Sequence, residues 1–226
     1  MKLILFDVDG TLLLTGGAGS RAMTRAFAEV FFVPKAFDGI PMAGRTDPLI
    51  VLDALARAGL RSDAAQLSHF RAQYRANLVE ELKVPHPHKR LMPGVRALLD
   101  ALRQREDVVL ALLTGNYSDT AKLKLDHFGL WDFFSVGAFG DDATDRNQLV
   151  PVAVARAMAA GAPPFHQRNV LVVGDTPLDV ACALAAGARP IGVATGGCAA
   201  EVLRKSGAEA VLEDLSDAAT FLDLLD

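Results

Sequence analysis

Met1-Lys2-Leu3-Ile4-Leu5-Phe6-Asp7-Val8-Asp9-Gly10-Thr11-Leu12-Leu13-Leu14 opens the chain, and its reading decides the fold. The apolar run Leu3–Phe6 stops abruptly at Asp7. A short apolar run bounded by a turn signal reads as a buried strand. In open α/β sheets the reactive groups stand just past the carboxyl ends of such strands. Two carboxylates so close together repel unless something beside them requires negative charge. A divalent cation does, and so does a reaction that uses carboxylates as nucleophile and acid/base. An Asp-Gly hairpin turn is the plainer reading of the same letters. A calcium loop is excluded, because it needs Gly at its sixth position and Glu at its twelfth, where this chain has Leu12 and Ala18.

Outward from this strand, Thr15-Gly16-Gly17-Ala18-Gly19 is a flexible break, after which the pattern turns helical. Met23, Phe27, Val30 and Phe31 recur at helical spacing over residues 20–32. Asp47-Pro48 reads as an N-cap and first-turn pair opening a helix to Gly59, and Ser62 as the cap of a third helix reaching Leu82. Val84-Pro85-His86-Pro87-His88 then reads as an extended linker whose histidines are solvated. From Met92 helices and strands alternate, with strands over 108–113, 134–137, 170–173, 190–193 and 210–212. The predicted helices lie over 94–103, 118–128, 147–160, 178–186, 199–205 and 217–225. Near-continuous apolar strands between helices mean a doubly wound parallel sheet covered on both faces, an α/β fold. The expected organisation is a discontinuous sheet domain, 1–14 with 92–226, carrying an inserted all-helical domain over 15–91.

The 226-residue length and 51% hydrophobic content suit a sizeable core. A net charge of −4 offers no general attraction to nucleic acid or anionic membrane. No apolar run approaches the ~20 residues that span a bilayer, and no secretory signal is visible at the N-terminus. Cys182 and Cys198 read as reduced thiols. The expectation is a soluble cytoplasmic protein.

Three predicted strands end in chemically loaded residues: Asp7 with Asp9, then Thr114-Gly115-Asn116, then Asp175 with Asp179. In one parallel sheet their carboxyl ends share an edge. Four carboxylates there would not all stay ionised without a cation, and Mg²⁺ suits an all-oxygen site with room for phosphate. The hydroxyl and backbone amides of Thr114–Asn116 would hold phosphate oxygens without adding charge.

These segments, Asp7-Val8-Asp9-Gly10-Thr11, Leu113-Thr114-Gly115-Asn116 and Gly174-Asp175-Thr176-Pro177-Leu178-Asp179, resemble motifs one, two and four of the haloacid dehalogenase-like hydrolase superfamily. The helical insertion resembles that superfamily's C1 cap, found in phosphoglycolate phosphatase and β-phosphoglucomutase relatives. The resemblance implies a Mg²⁺-dependent phosphatase acting on a small soluble phosphate monoester. It makes Asp7 the nucleophile that becomes an aspartyl phosphate and Asp9 the acid and base. It assigns the metal to the Asp7 carboxylate, the Asp9 carbonyl and Asp175, with Asp179 close by. The chain departs from the superfamily at motif three, where a Lys is usual. Arg146 is the best replacement, able to hold phosphate and Asp7 in fork geometry. Lys122 and Lys124, inside a helix, rank behind it. Gly44-Arg45-Thr46-Asp47 resembles the cap's specificity loop, with Arg45 and Thr46 as its candidate substrate contacts. Trp131, Phe133 and Phe134 read as core packing, and Asp141-Asp142 as a solvated loop. A dehalogenase would lack Asp9, and a phosphonatase needs a cap Lys that neither Lys35 nor Lys83 supplies. A phosphomutase of the β-phosphoglucomutase type remains the enzymatic alternative, and a phospho-accepting protein without turnover the non-enzymatic one.

Overall fold

The computed structural model describes residues 1–225; residue 226, the predicted end of the sheet domain, lies outside the described residues. The chain begins with β1 (Lys2–Phe6) and β2 (Leu13–Thr15), then the helices α1 (Ala18–Phe31), α2 (Asp47–Arg57) and α3 (Ala64–Lys83). It continues through β3 (Lys89–Leu91), α4 (Val95–Arg103), β4 (Val108–Leu113), α5 (Ser118–His127), β5 (Val136–Ala138) and α6 (Leu149–Ala159). The last elements are β6 (Val170–Gly174), α7 (Pro177–Ala185), β7 (Arg189–Val193), α8 (Ala200–Lys205), β8 (Ala210–Leu212) and α9 (Ala218–Asp223).

Six strands form one sheet in the order β5-β4-β1-β6-β7-β8, parallel throughout. The strands alternate side chains between two apolar layers, as a sheet buried on both faces requires. Ile4, Phe6, Leu112 and Val173 pack on one side with Leu98, Leu125 and Phe221. Leu3, Leu5, Leu113 and Val172 pack on the other with Leu149, Ala153 and Ala183. β1 is central. The chain builds outward from it through β4 and β5, then crosses back to lay down β6, β7 and β8 on its other side. That reversal is the switch point at which open α/β sheets bind ligands, and the residue after β1 is Asp7.

The helical insertion has its own core, in which Phe27 lies 4.6 Å from Phe31, 5.3 Å from Phe37 and 6.0 Å from Phe70, ring centre to ring centre. Its two connections are not free linkers. β2 and β3 pair antiparallel, Leu13 opposite Leu91, and tie them together. These two three-residue strands lie outside the alternation of strands and helices that marks the sheet, and so short a segment carries too little periodicity to stand out alone. Helix boundaries shift by a residue or two: Thr46, not Asp47, caps α2, and Asp63, not Ser62, caps α3 through a capping box with Gln66. The predicted helix over 147–160 begins as a single 3₁₀ turn at Arg146–Gln148.

Candidate active site

Because β4, β1 and β6 are neighbours, the loops that follow them meet at one sheet edge. The Asp7 amide donates to the Val173 carbonyl at 2.9 Å and the Thr114 amide to the Ala138 carbonyl at 3.0 Å. These bonds carry the sheet ladder one residue past the strands, onto the reactive positions. The chain after Asp7 then turns sharply at Gly10, whose φ of +89° suits glycine. A Cβ on Gly10 would also lie 2.5 Å from Asp175 Oδ2, so the turn can approach that carboxylate only without a side chain.

Asp7, Asp175 and Asp179 are buried with ligand oxygens all within 4.8 Å of one another. Burial lifts Asp7 to about 7; the Arg146 charge opposes that rise and the Asp179 charge adds to it. Asp175 rises to about 8 through burial and then the charges of Asp7 and Asp179. Arg146, from the 3₁₀ turn before α6, is the cation of this cluster. Its Nη2 donates to Asp7 Oδ1 at 2.8 Å and also to Asp179 Oδ1, while Nη1 donates to the Gly44 carbonyl at 3.0 Å. Asp179 is the third residue of α7 and accepts the Thr176 amide at 3.0 Å in a capping box, so its other oxygen is the one turned to Arg146. Once all three are ionised, three carboxylates against one guanidinium leave two negative charges, which one divalent cation balances. An oxygen-only, carboxylate-rich donor set is what such a hard ion takes.

Asp9 stands apart from that cluster. Its Oδ2 accepts from Asn116 Nδ2 at 2.9 Å and from Lys124 Nζ at 2.5 Å. Lys124, placed with Lys122 behind Arg146 from sequence, is 4% exposed and reaches the site from inside α5, where it meets Asp9 while Arg146 meets Asp7. Lys122 turns outward to Asp126 at 2.6 Å. The signal was helical phase, because Thr120, Ala121, Lys124 and Leu125 share the buried face of α5.

A cavity of about 560 Å³ opens over this edge, lined by Asp7, Asp9, Thr114, Asn116, Lys124 and Arg146 from the sheet side. Ser20, Met23, Arg45, Ile50 and Tyr74 of the insertion line its other wall. The insertion is seated closely on the sheet. The Asp47 amide donates to the Gly115 carbonyl at 2.7 Å, and the Tyr117 amide donates to Asp47 Oδ2 at 3.0 Å. A Cβ on Gly115 would stand 2.1 Å from the Arg45 carbonyl oxygen. Arg45 lines the cavity but is paired with Asp53 at 2.5 Å. Thr46 does not line it; its hydroxyl donates to the Thr144 carbonyl at 2.8 Å and caps α2. Asp141 and Asp142 are not simply solvated, since Asp141 pairs with Arg71 of α3 and Asp142 with Arg156. Arg71 went unread in the sequence and Asp47 was read only as a helix cap and part of the specificity loop, because what makes them matter is a contact between the two halves of the cavity.

Both cysteines are free, and among the described residues no helix is long and apolar enough to cross a membrane. A phosphoglycolate phosphatase of Rhodospirillum rubrum is 30% identical over 223 residues, covering 98% of this chain and 90% of the relative. The crystal structure of a predicted phosphoglycolate phosphatase from Haemophilus somnus superposes with a TM-score of 0.72 at 21% identity, covering 98% of each chain. A candidate β-phosphoglucomutase from Thermotoga maritima superposes at 0.65 with 21% identity, covering 99% of each, a likeness of fold. Residues 1–187 match the haloacid dehalogenase-like hydrolase family. Sheet order, helical insertion and family match agree: the chain belongs to the haloacid dehalogenase-like hydrolases and is a hydrolase of phosphate monoesters.

Proposed function

We propose that the protein is a Mg²⁺-dependent phosphatase of a small phosphate monoester, working through an aspartyl phosphate on Asp7. The observation that carries this reading is the separation of two carboxylates two residues apart. Asp7 is buried among Arg146, Asp175 and Asp179, whereas Asp9 is held independently by Lys124 and Asn116. One carboxylate can therefore attack while the other handles a proton.

Asp7 attacks phosphorus, and the leaving oxygen takes its proton from Asp9 as the P–O bond breaks. Asp9 then takes a proton from water as that water attacks the phosphoryl group, which releases phosphate and frees Asp7. Arg146 steadies Asp7 and carries charge toward the transferring group. Thr114, Gly115 and Asn116 offer a hydroxyl, backbone amides and a side-chain amide to its oxygens. Asp7, Asp175 and the Asp9 carbonyl would hold Mg²⁺, with Asp179 behind them. Bound there, it offsets repulsion between nucleophile and phosphate and neutralises charge on the transferring group. The same reading divides the chain into a sheet unit, 1–14 with 92–226, and a helical unit, 15–91, with the cavity between them. Free thiols favour a cytoplasmic site of action.

The test is a panel of phosphate esters, phosphoglycolate first because of the Rhodospirillum rubrum relative, assayed with and without Mg²⁺. Inorganic phosphate should appear, and Asp7→Asn should abolish it with an unchanged circular dichroism spectrum. An Asp7→Asn protein that still turned over would sink the reading, and isomerised sugar phosphate without phosphate release would favour the mutase.

A further inference from the structure

The chain keeps an ammonium inside the protein at Lys124, 4% exposed, on a helix face otherwise apolar or hydroxylic. Burying a charge is costly, and a buried ion pair is often no more stable than an apolar replacement. Packing alone would be served as well by Leu or Met. What Lys124 does uniquely is hold two neighbours. Its Nζ donates to Asn116 Oδ1 at 2.6 Å and to Asp9 Oδ2 at 2.5 Å. The first bond settles which way the Asn116 amide faces: with Oδ1 on an ammonium, Nδ2 must be the end that meets Asp9 Oδ2, at 2.9 Å, and Thr114 Oγ1, at 2.7 Å. Asp9 Oδ2 therefore faces two donors, neither of which can accept a proton from it.

We propose that Lys124 is a positioning residue that determines which oxygen of Asp9 works. Oδ2 is an obligate acceptor, so the proton that Asp9 gives and takes resides on Oδ1, which has no hydrogen-bond partner among the described residues. The carboxyl side chain as a whole is 40% exposed where it lines the cavity. When the P–O bond of the ester breaks, its electron pair takes the proton from Oδ1, and the resulting carboxylate stays anchored through Oδ2 for the return step. The helical insertion is built around the same ammonium: a Cβ on Gly19 of α1 would lie 3.3 Å from both Lys124 Nζ and Cε. This inference rests on the reading of Asp9 as acid and base.

Leaving-group dependence tests it. Phenyl phosphate needs its leaving oxygen protonated, whereas p-nitrophenyl phosphate does not, and kcat/KM reports the step that expels it. Lys124→Met should lower kcat/KM for phenyl phosphate on the order of 10²-fold, the scale of general acid catalysis, and leave p-nitrophenyl phosphate within a few-fold. Lys124→Arg should recover part of the loss, and Lys124→Met should cost nothing more in an Asp9→Asn background. Lys124→Gln, which keeps an uncharged donor, replaces Lys124→Met if the latter does not fold. Equal losses on both esters, or no loss, would overturn the proposal while leaving Asp9 its role. An Asp9→Asn variant without selective loss on phenyl phosphate would instead overturn the reading of Asp9 on which it rests.

Discussion

Arg146 is the residue on which the buried charges balance. Its guanidinium meets Asp7 at 2.8 Å and Asp179 as well, and all of these side chains are almost fully buried. Removing one member of such a network strands the others in a poorly solvated place. Arg146→Ala should cost about 3–5 kcal/mol of stability and lower kcat/KM by on the order of 10²-fold or more. Arg146→Lys should return part of both, since it restores charge without the fork. Denaturant unfolding and phosphate release read the two effects, and wild-type kinetics in Arg146→Ala would move the catalytic cation elsewhere. Asp47 gives a pH signature of its own. Burial raises it to about 7 from an ordinary 3.8, opposed first by the Lys124 charge. A raised acid binds its proton more tightly when folded, so its stabilising contribution is complete below about pH 4 and is lost by pH 7. Asp47→Asn keeps an acceptor for the Tyr117 amide and removes the titration. Its stability relative to wild type should therefore rise from pH 5 to pH 8, by up to a few kcal/mol. A pH-independent difference in urea unfolding would show that Asp47 is not held protonated.

At the level of elements, the cavity exists because α2 begins where the loop after β4 ends. Gly115 is the contact. It needs no unusual backbone angle, yet a Cβ there would lie 2.1 Å from the Arg45 carbonyl oxygen and 2.9 Å from Thr46 Cα. Backbone cannot yield that distance without moving the helix. Gly115→Ala should lift α2 from the sheet, raise KM and reduce kcat, while far-UV circular dichroism stays unchanged because both cores are untouched. Unaltered kinetics would mean that the insertion need not sit where it does. Arg71 of α3 holds the same junction from the other side, its guanidinium 4.8 Å above the Tyr117 ring and paired with Asp119 at 3.1 Å. It remains one-third exposed, so it locates the insertion more than it stabilises it.

For the molecule as a whole, the buried cluster of Asp7, Asp175 and Asp179, in which burial and neighbouring charge raise Asp7 and Asp175, stores repulsion that a bound cation relieves. Mg²⁺ should therefore raise the melting temperature with its concentration, by RT ln(1 + [L]/Kd) in free energy. Chelation should stop turnover, Mg²⁺ should restore it, and Ca²⁺ should inhibit through its looser, higher coordination. Calorimetry with and without each ion checks this independently of activity, and a melting temperature indifferent to Mg²⁺ would remove the metal from Asp7, Asp175 and Asp179.

How much of this was legible in the letters follows from the range of the forces involved. Apolar runs ending in Asp7, Thr114 and Asp175 are local patterns, and they determined the parallel sheet, its reactive edge and the helical insertion. Arg146 was legible too, as a cation placed just ahead of a helix at the spacing the motifs require. The reading from sequence left Lys122 and Lys124 together, although the phase of α5 holds the signal that separates them, since Lys124 lies on the buried face and Lys122 does not. What Lys124 touches was not legible, because Asp9 is 115 residues away and their meeting depends on how a helix packs on a sheet. The β2–β3 ribbon, the burial of Asp47 and the closeness of Gly115 to Arg45 share that origin. Each arises where segments distant in sequence exclude water between them. Strand pattern is written residue by residue, whereas desolvation, charge pairing and contact between sheet and insertion belong to the folded chain alone.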